Sequence, residues 1–206
     1  DSFCDIFAGT GIIAQHAIKK MQKVIVNDFL YSNEIIYKAF FLQDLFDIEK
    51  INEYKTQFQN INVLDIKDNY ASINYGGKFF SYNDSLLIGE IRGIIDSLTD
   101  LNDKERAILI ASLLYSADKA ANTVGHYDAY IKGHSIPDTF KFDLISPYTT
   151  AADIEIHRED ANLLAKFLNV DIVYIDPPYN SRQYSRFYHV LENLTTWKKP
   201  KLYGEA

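Results

Sequence analysis

SFCDIFAGTGIIAQHAIKKMQKVIVND, residues 2–28, decides the fold. Residues 2–7 make a short apolar strand. AGTG at 8–11 is a tight turn, where glycine supplies backbone conformations that side chains resist. IIAQHAIKK at 12–20 spaces its apolar residues for one face of a helix, and KVIVND at 23–28 is a second strand ending in an acid. SNEIIYKAFFLQDLFD at 32–47 reads as a further helix, with Ser32 or Asn33 as its N-cap. Strand, helix, strand, helix in succession marks a parallel α/β sheet with crossover helices.

The pattern then changes. INEYKTQFQN (51–60) reads as helical and NYASINYGGKFFSYND (69–84) as an irregular excursion. SLLIGEIRGIIDSL (85–98) is an amphipathic helix. A longer helix over 102–124 is capped by Asn102 with Glu105 three residues on, and Gly125 ends it. Residues 126–145 alternate aromatic and polar side chains, as short strands would. DIEIH (153–157), EDANLLAKFL (159–168) and DIVYID (171–176) restore strand, helix and buried strand. The expected organisation is an α/β core over 1–55 and 146–206, interrupted by a mostly helical insertion over 56–145. That insertion is far longer than an ordinary loop.

The 206 residues are 47% hydrophobic and 24% charged, enough for one substantial core. A net charge of −7 argues mildly against nucleic acid, although phosphate binding depends on where charge lies rather than on its sum. The single cysteine, Cys4, excludes an internal disulfide and fits a reducing, cytoplasmic compartment. No apolar run reaches membrane-spanning length and no signal peptide is visible, so no membrane partner is expected. The start on strand residues and the abrupt end at PKLYGEA read as a fragment of a longer protein, incomplete at both ends.

The glycine turn carries the first chemical signal. Gly9 and Gly11 let backbone approach a ligand at a helix N-terminus. The dinucleotide pattern GxGxxG is not met, because Ala14 holds its third position. Asp5, in the strand before the turn, would repel a pyrophosphate and suits a ligand with a positive ammonium group. Asp28, about twenty residues on, stands where α/β nucleotide folds place an acid for ribose hydroxyls. An ordinary βα turn and a solvated loop acid are the plain alternatives. Together the two signals favour a nucleoside without phosphates and with a cationic tail, a description that S-adenosylmethionine fits.

The second signal is DIVYIDPPYN, residues 171–180. Asp176 ends a strand at the edge where open α/β sheets bind ligands. Pro177 and Pro178 keep the chain extended and remove its N–H donors, so the segment presents acceptors. A carboxylate beside a carbonyl matches an –NH₂ group, and Tyr179 adds a flat face. A planar base with an exocyclic amino group, adenine or cytosine, fits such a clamp.

With FAGTG and DPPY together, the chain resembles the amino-methyltransferases that use S-adenosylmethionine. Within these it looks most like the Dam-like, FokI-type DNA N6-adenine methyltransferases of restriction–modification systems; the string VYIDPPYNSRQYSRFYHVLE carries the closer likeness. The resemblance implies a Rossmann-like methyltransferase core with a target-recognition insertion. It implies Asp176, Pro177, Pro178 and Tyr179 as catalytic residues, with no metal. It implies cofactor contacts at Asp5, Phe7, Gly9, Gly11, Asp28, Phe29 and, through HREDANLLAKFL, Asp160 and Ala161. Double-stranded DNA with a flipped adenine is the implied substrate, and a cognate restriction endonuclease the implied companion. Transfer to an amino group of RNA or protein, or an inactive cofactor-binding fragment, are the rival readings.

Weaker signals follow the clamp. Arg182, Tyr184 and Arg186 interleave cations with an aromatic, as a DNA-facing segment would, and equally as a solvated helix face would. NTVGHYDAY (122–130) reads better as a structural histidine, His126, than as a contact. WKKPKLYG (197–204) is a basic tail or a linker, and His16 has no chemical role.

Overall fold

A computed structural model of the chain describes residues 1–178 and 184–203, the side chains of 184 and 185 excepted. The chain divides into two units, Asp1–Leu45 with Ser146–Ser181, and Phe46–Ile145 with Arg182–Ala206.

The first unit is built on β1 (Ser2–Asp5), α1 (Ile12–Ala17), β2 (Lys23–Asn27) and α2 (Tyr31–Phe41), followed after the other unit by β3 (Asp153–His157), α7 (Ala161–Leu164) and β4 (Ile172–Tyr174). The strands form one sheet in the order β3-β2-β1-β4, and every pairing is parallel. β1 lies between two partners, and Phe3, Cys4 and Ile6 are buried. Cys4 and Ile6 join Ile25 and Leu164 in a core on which Phe7, Ala161, Leu168 and Val170 pack. Leaving water is worth about 25 cal/mol per Å² of apolar surface, and that drives this face together. Burial, with the neighbouring charges of Asp5 and Glu155, pushes the Cys4 thiol up to about 11, so it is no nucleophile at neutral pH.

β4, of three residues, pairs with β1, and among the described residues Ile172, Val173, Tyr174 and Ile175 are 46%, 39%, 37% and 65% exposed, where a buried strand is expected from the sequence. Its register is set by Asp171, which accepts hydrogen bonds from the Ser2 amide at 2.7 Å and the Ser2 hydroxyl at 2.9 Å. α2 starts at Tyr31 behind Leu30, not at a Ser32 or Asn33 cap, because Asp28 accepts the Leu30 N–H and sets the start of the helix earlier.

The second unit holds α3 (Ile48–Gln59), a 3₁₀ turn (Val63–Asp65), α4 (Tyr70–Tyr75), α5 (Tyr82–Ser97), α6 (Asp103–Ala120) and α8 (Tyr184–Thr196). The expected Asn102–Glu105 capping box is present. Glu105 also accepts the Asp47 N–H and pairs with Lys50, which fastens α3 to α6. That fastening keeps α3 in the same compact unit as α6. Likewise α8 lies with the helices, not with the sheet: the buried Arg92 of α5 donates to the Leu194 and Thr195 carbonyls at 2.6 and 3.0 Å, closing the helix C-terminus. Residues 69–84 hold α4, which the Asn69–Ser72 capping box starts. α6 ends at Ala120, before Gly125, because the Asn122 N–H turns away to the Phe79 carbonyl. Residues 126–145 form no strand; side chains hold them instead, with Asp84 accepting the Thr139 and Phe140 amides and Ser112 the Ile145 amide. Among the described residues no helix is long and apolar enough to cross a membrane.

Candidate active site

The carboxyl ends of four parallel strands gather the candidate residues of the first unit: Asp5 to Gly11 after β1, Asn27 to Phe29 after β2, Asp160 after β3 and Asp176 after β4. Gly9 has φ +53° and Gly11 φ +79°, a left-handed backbone that favours glycine. A Cβ on Gly11 would meet the rings of Phe41 and Tyr37 at 3.1–3.3 Å, so the turn lies tight on α2. Nothing stands within 4 Å of a Cβ built on Gly9, which leaves that side of the turn open.

The turn is braced from below. Gly9 donates its N–H to Asp28 at 3.1 Å, and the second Asp28 oxygen accepts the Leu30 N–H at 2.9 Å. The Tyr37 hydroxyl donates to the Gly9 carbonyl at 2.6 Å. Ala8 donates its N–H to the Asn27 carbonyl at 2.8 Å. Asn27, buried to 1% exposure, donates through its amide to the Ile6 and Glu159 carbonyls at 3.0 and 3.2 Å and accepts the Glu159 N–H at 2.9 Å. One side chain thus ties the glycine turn to the acidic turn after β3. The sequence reading passed over Asn27 and Tyr37. The polar Asn27 inside the strand VIVND was a visible signal for the first; nothing local marked the second.

Asp5 is the unusual group. It is 1% exposed, and neither carboxylate oxygen has a hydrogen-bond partner among the described residues. Burial pushes its carboxyl up to about 6, the charges of Asp28 and Asp176 add to that, and the nearby Phe7 amide opposes it without reaching hydrogen-bond geometry. A buried carboxylate with like charges beside it is an acceptor that lacks a cation.

Asp160 caps α7, accepting the Asn162 and Leu163 amides at 2.8 and 3.2 Å through one oxygen. Phe7 and Ala161 pack on the core cluster. Phe29 is 71% exposed beside Asp28. Asp176, Pro177 and Pro178 follow β4 and are exposed among the described residues. Tyr179 and Arg182 lie outside the described residues. Tyr184 opens α8, its side chain outside them too. Arg186, in the helical unit, is exposed, its guanidinium 3.7 Å from Asp128. Among the described residues no cluster of His, Cys, Asp and Glu could hold a metal ion.

A family model described as D12 class N6 adenine-specific DNA methyltransferase matches residues 1–206. The chain is 30% identical over 223 residues to modification methylase LlaI of Lactococcus lactis subsp. lactis, covering 100% of this chain and 36% of that protein. It is 31% identical over 225 residues to modification methylase StsI of Streptococcus sanguinis, covering 98% of this chain and 33% of the relative. With the type II methyltransferase M.FokI of Planomicrobium okeanokoites the figures are 30% over 228 residues, 99% and 34%. The chain therefore spans about a third of the length of these relatives. No solved structure matches it.

Proposed function

Since the chain belongs to the D12 class N6 adenine-specific DNA methyltransferase family, we propose that it is the cofactor-binding and catalytic portion of a restriction–modification methylase that methylates N6 of adenine in DNA. The observation that carries the reading is the buried, unpartnered Asp5 carboxylate beside an open glycine turn at the carboxyl edge of a parallel sheet. S-adenosylmethionine, which supplies an electrophilic sulfonium methyl when bound, fits that site: its ammonium is the cation that Asp5 lacks.

In this reading Asp5 and the Gly9–Gly11 turn hold the amino-acid end of the cofactor. Asp28 keeps free lone pairs on both oxygens for ribose hydroxyls, and Phe29 offers a stacking face. Asp160 and Ala161 meet the adenine end; Phe7 supports the turn from the core. Asp176 and the Pro177 carbonyl accept the two amino hydrogens of the target adenine, which returns the nitrogen lone pair from the ring to the amine. Pro178 keeps the row of acceptors stiff. Tyr179 stacks on the flipped base; such stacking is worth about 1–3 kcal/mol and offsets much of the cost of taking a base from the duplex. As the amine becomes cationic, the Asp176 carboxylate stabilises it and takes its proton. Arg182, Tyr184 and Arg186 face the DNA, and the helical unit reads the target. The cell would pair the enzyme with a cognate endonuclease in the cytoplasm.

Labelled S-adenosylmethionine presented with the full-length protein to DNA, RNA and protein tests this. Label in N6-methyladenine of DNA is expected; label on RNA or protein alone refutes it. Asp176→Ala should lower turnover by about 10²–10³-fold, as loss of one preorganised polar group does, and leave cofactor binding intact.

A further inference from the structure

In the first unit, the turn after β3 is tied by side chains to the stretch running from the end of β2 into α2. One tie is the buried Asn27, which holds the Glu159 backbone. Another is Arg158. Its guanidinium lies over the ring of Tyr31, the first residue of α2, 3.8 Å from the centroid. The Arg158 Nε stands 3.1 Å from one carboxylate oxygen of Glu34, three residues further on. Lys38 holds the other Glu34 oxygen at 2.6 Å. A guanidinium is planar, so a ring against it and an ion pair through its Nε together restrict both its position and its tilt.

Arg158 stands close in sequence to both sides of the proposed adenosine site. Tyr31 follows Asp28 by three residues and Phe29 by two; Arg158 precedes Asp160 by two and Ala161 by three. Both short segments are stiffened by their own bonds, Asp28 to the Leu30 N–H and Asp160 to the Asn162 and Leu163 amides. A shift at Tyr31 or Arg158 is therefore passed on to the groups proposed for ribose and adenine. The Arg158 and Glu34 side chains are 31% and 25% exposed, so solvent screens the pair and it adds little to global stability. What the bridge supplies is placement. We propose that Arg158 is a positioning residue for the cofactor: reaching from the turn after β3 to the first turn of α2, it holds the Asp28–Phe29 and Asp160–Ala161 sides of the adenosine site at their working separation. The inference rests on the methyltransferase reading above. Without the bridge, Asn27 and the strand pairing still join the two segments at their base, but their outer parts sample other separations. The apparent dissociation constant then rises by the inverse of the competent fraction, about tenfold for a site in working geometry about a tenth of the time. Bound cofactor restores the separation, so transfer at saturating cofactor is spared.

Titration calorimetry with S-adenosylmethionine and S-adenosylhomocysteine, together with steady-state transfer to unmethylated plasmid DNA, tests the proposal on the full-length protein. Arg158→Met should raise both dissociation constants about 5–20-fold, and KM for S-adenosylmethionine with them, while kcat at saturating cofactor stays within about twofold of wild type. Its melting temperature should stay within about 3 °C. Arg158→Lys keeps a charge toward Glu34 without the flat stack and should recover part of the affinity. Should Arg158→Met fail to fold, Arg158→Lys is compared with wild type alone and should bind about 2–5-fold more weakly; equal affinity then overturns the proposal. A folded Arg158→Met that binds both compounds within twofold of a binding-competent wild type overturns the inference alone. So does a fall in kcat and melting temperature at unchanged cofactor affinity. A wild-type protein that neither binds S-adenosylmethionine nor transfers methyl to DNA overturns the methyltransferase reading itself and this inference with it.

Discussion

Replacing Asp5 by asparagine should move stability and cofactor affinity in opposite directions. Burial holds the Asp5 carboxyl at about 6 instead of 3.8. At 1.36 kcal/mol per pH unit, keeping it ionised in the fold at neutral pH costs about 3 kcal/mol. The folded pKa is raised, so between about 4 and 6 the folded chain binds more protons than the unfolded one. The ligand-free protein therefore gains stability as pH falls through that window, opposite to an ion-paired carboxylate. Asparagine carries no charge and removes this penalty, less the ~1–3 kcal/mol of a buried amide without partners. The net gain at pH 7 is up to about 2 kcal/mol, or about 4–8 °C in melting temperature for a chain this long. Binding of S-adenosylmethionine should weaken by about 10–100-fold, the worth of one charge-assisted hydrogen bond at ~1.5–3 kcal/mol. In wild type it should weaken as pH falls below about 6, because ammonium binding then requires Asp5 to lose a proton. Thermal unfolding from pH 4 to 8 together with titration calorimetry reads all of this. Equal cofactor affinity in the variant, or a wild type that gains nothing over the variant on acidification, would refute the reasoning.

Asn27→Ala should cost about 1–3 kcal/mol in denaturant unfolding, because it leaves the carbonyl of the buried Ile6 without its amide donor and frees the exposed Glu159 turn, and cofactor affinity should fall with it. Gly11→Ala should lower the melting temperature by several degrees, at about 1–3 kcal/mol, from a side chain forced to φ +79° against Phe41 and Tyr37. Arg92→Leu should fray the C-terminal turn of α8, raising amide exchange near Leu194 and Thr195, since two carbonyls lose buried donors; unchanged exchange there would contradict the assigned cap.

What could be read in advance was whatever local chemistry dictates. The glycine turn between an apolar strand and a helix, and the Asn102–Glu105 box that starts α6, depend on residues within a few positions of one another. The sequence by itself therefore determined the parallel α/β class, the helical insertion, the glycine turn and the candidate carboxylates Asp5, Asp28, Asp160 and Asp176. Other features depend on long-range neighbours. DIVYID pairs with β1 rather than with the strand before it in sequence, and composition does not encode that order. Asn27 and Tyr37 matter through bonds to Glu159 and Gly9, which no local pattern reports. α8 follows the DPPY stretch in sequence yet lies with the helices, because Arg92, Tyr127 and the Tyr75 hydroxyl, which accepts from Asn193 of α8, hold it there. Only the tertiary structure decided that Asp5 is buried without a partner, since burial and the absence of a neighbour are properties of everything that surrounds a residue, not of the residues beside it in the chain.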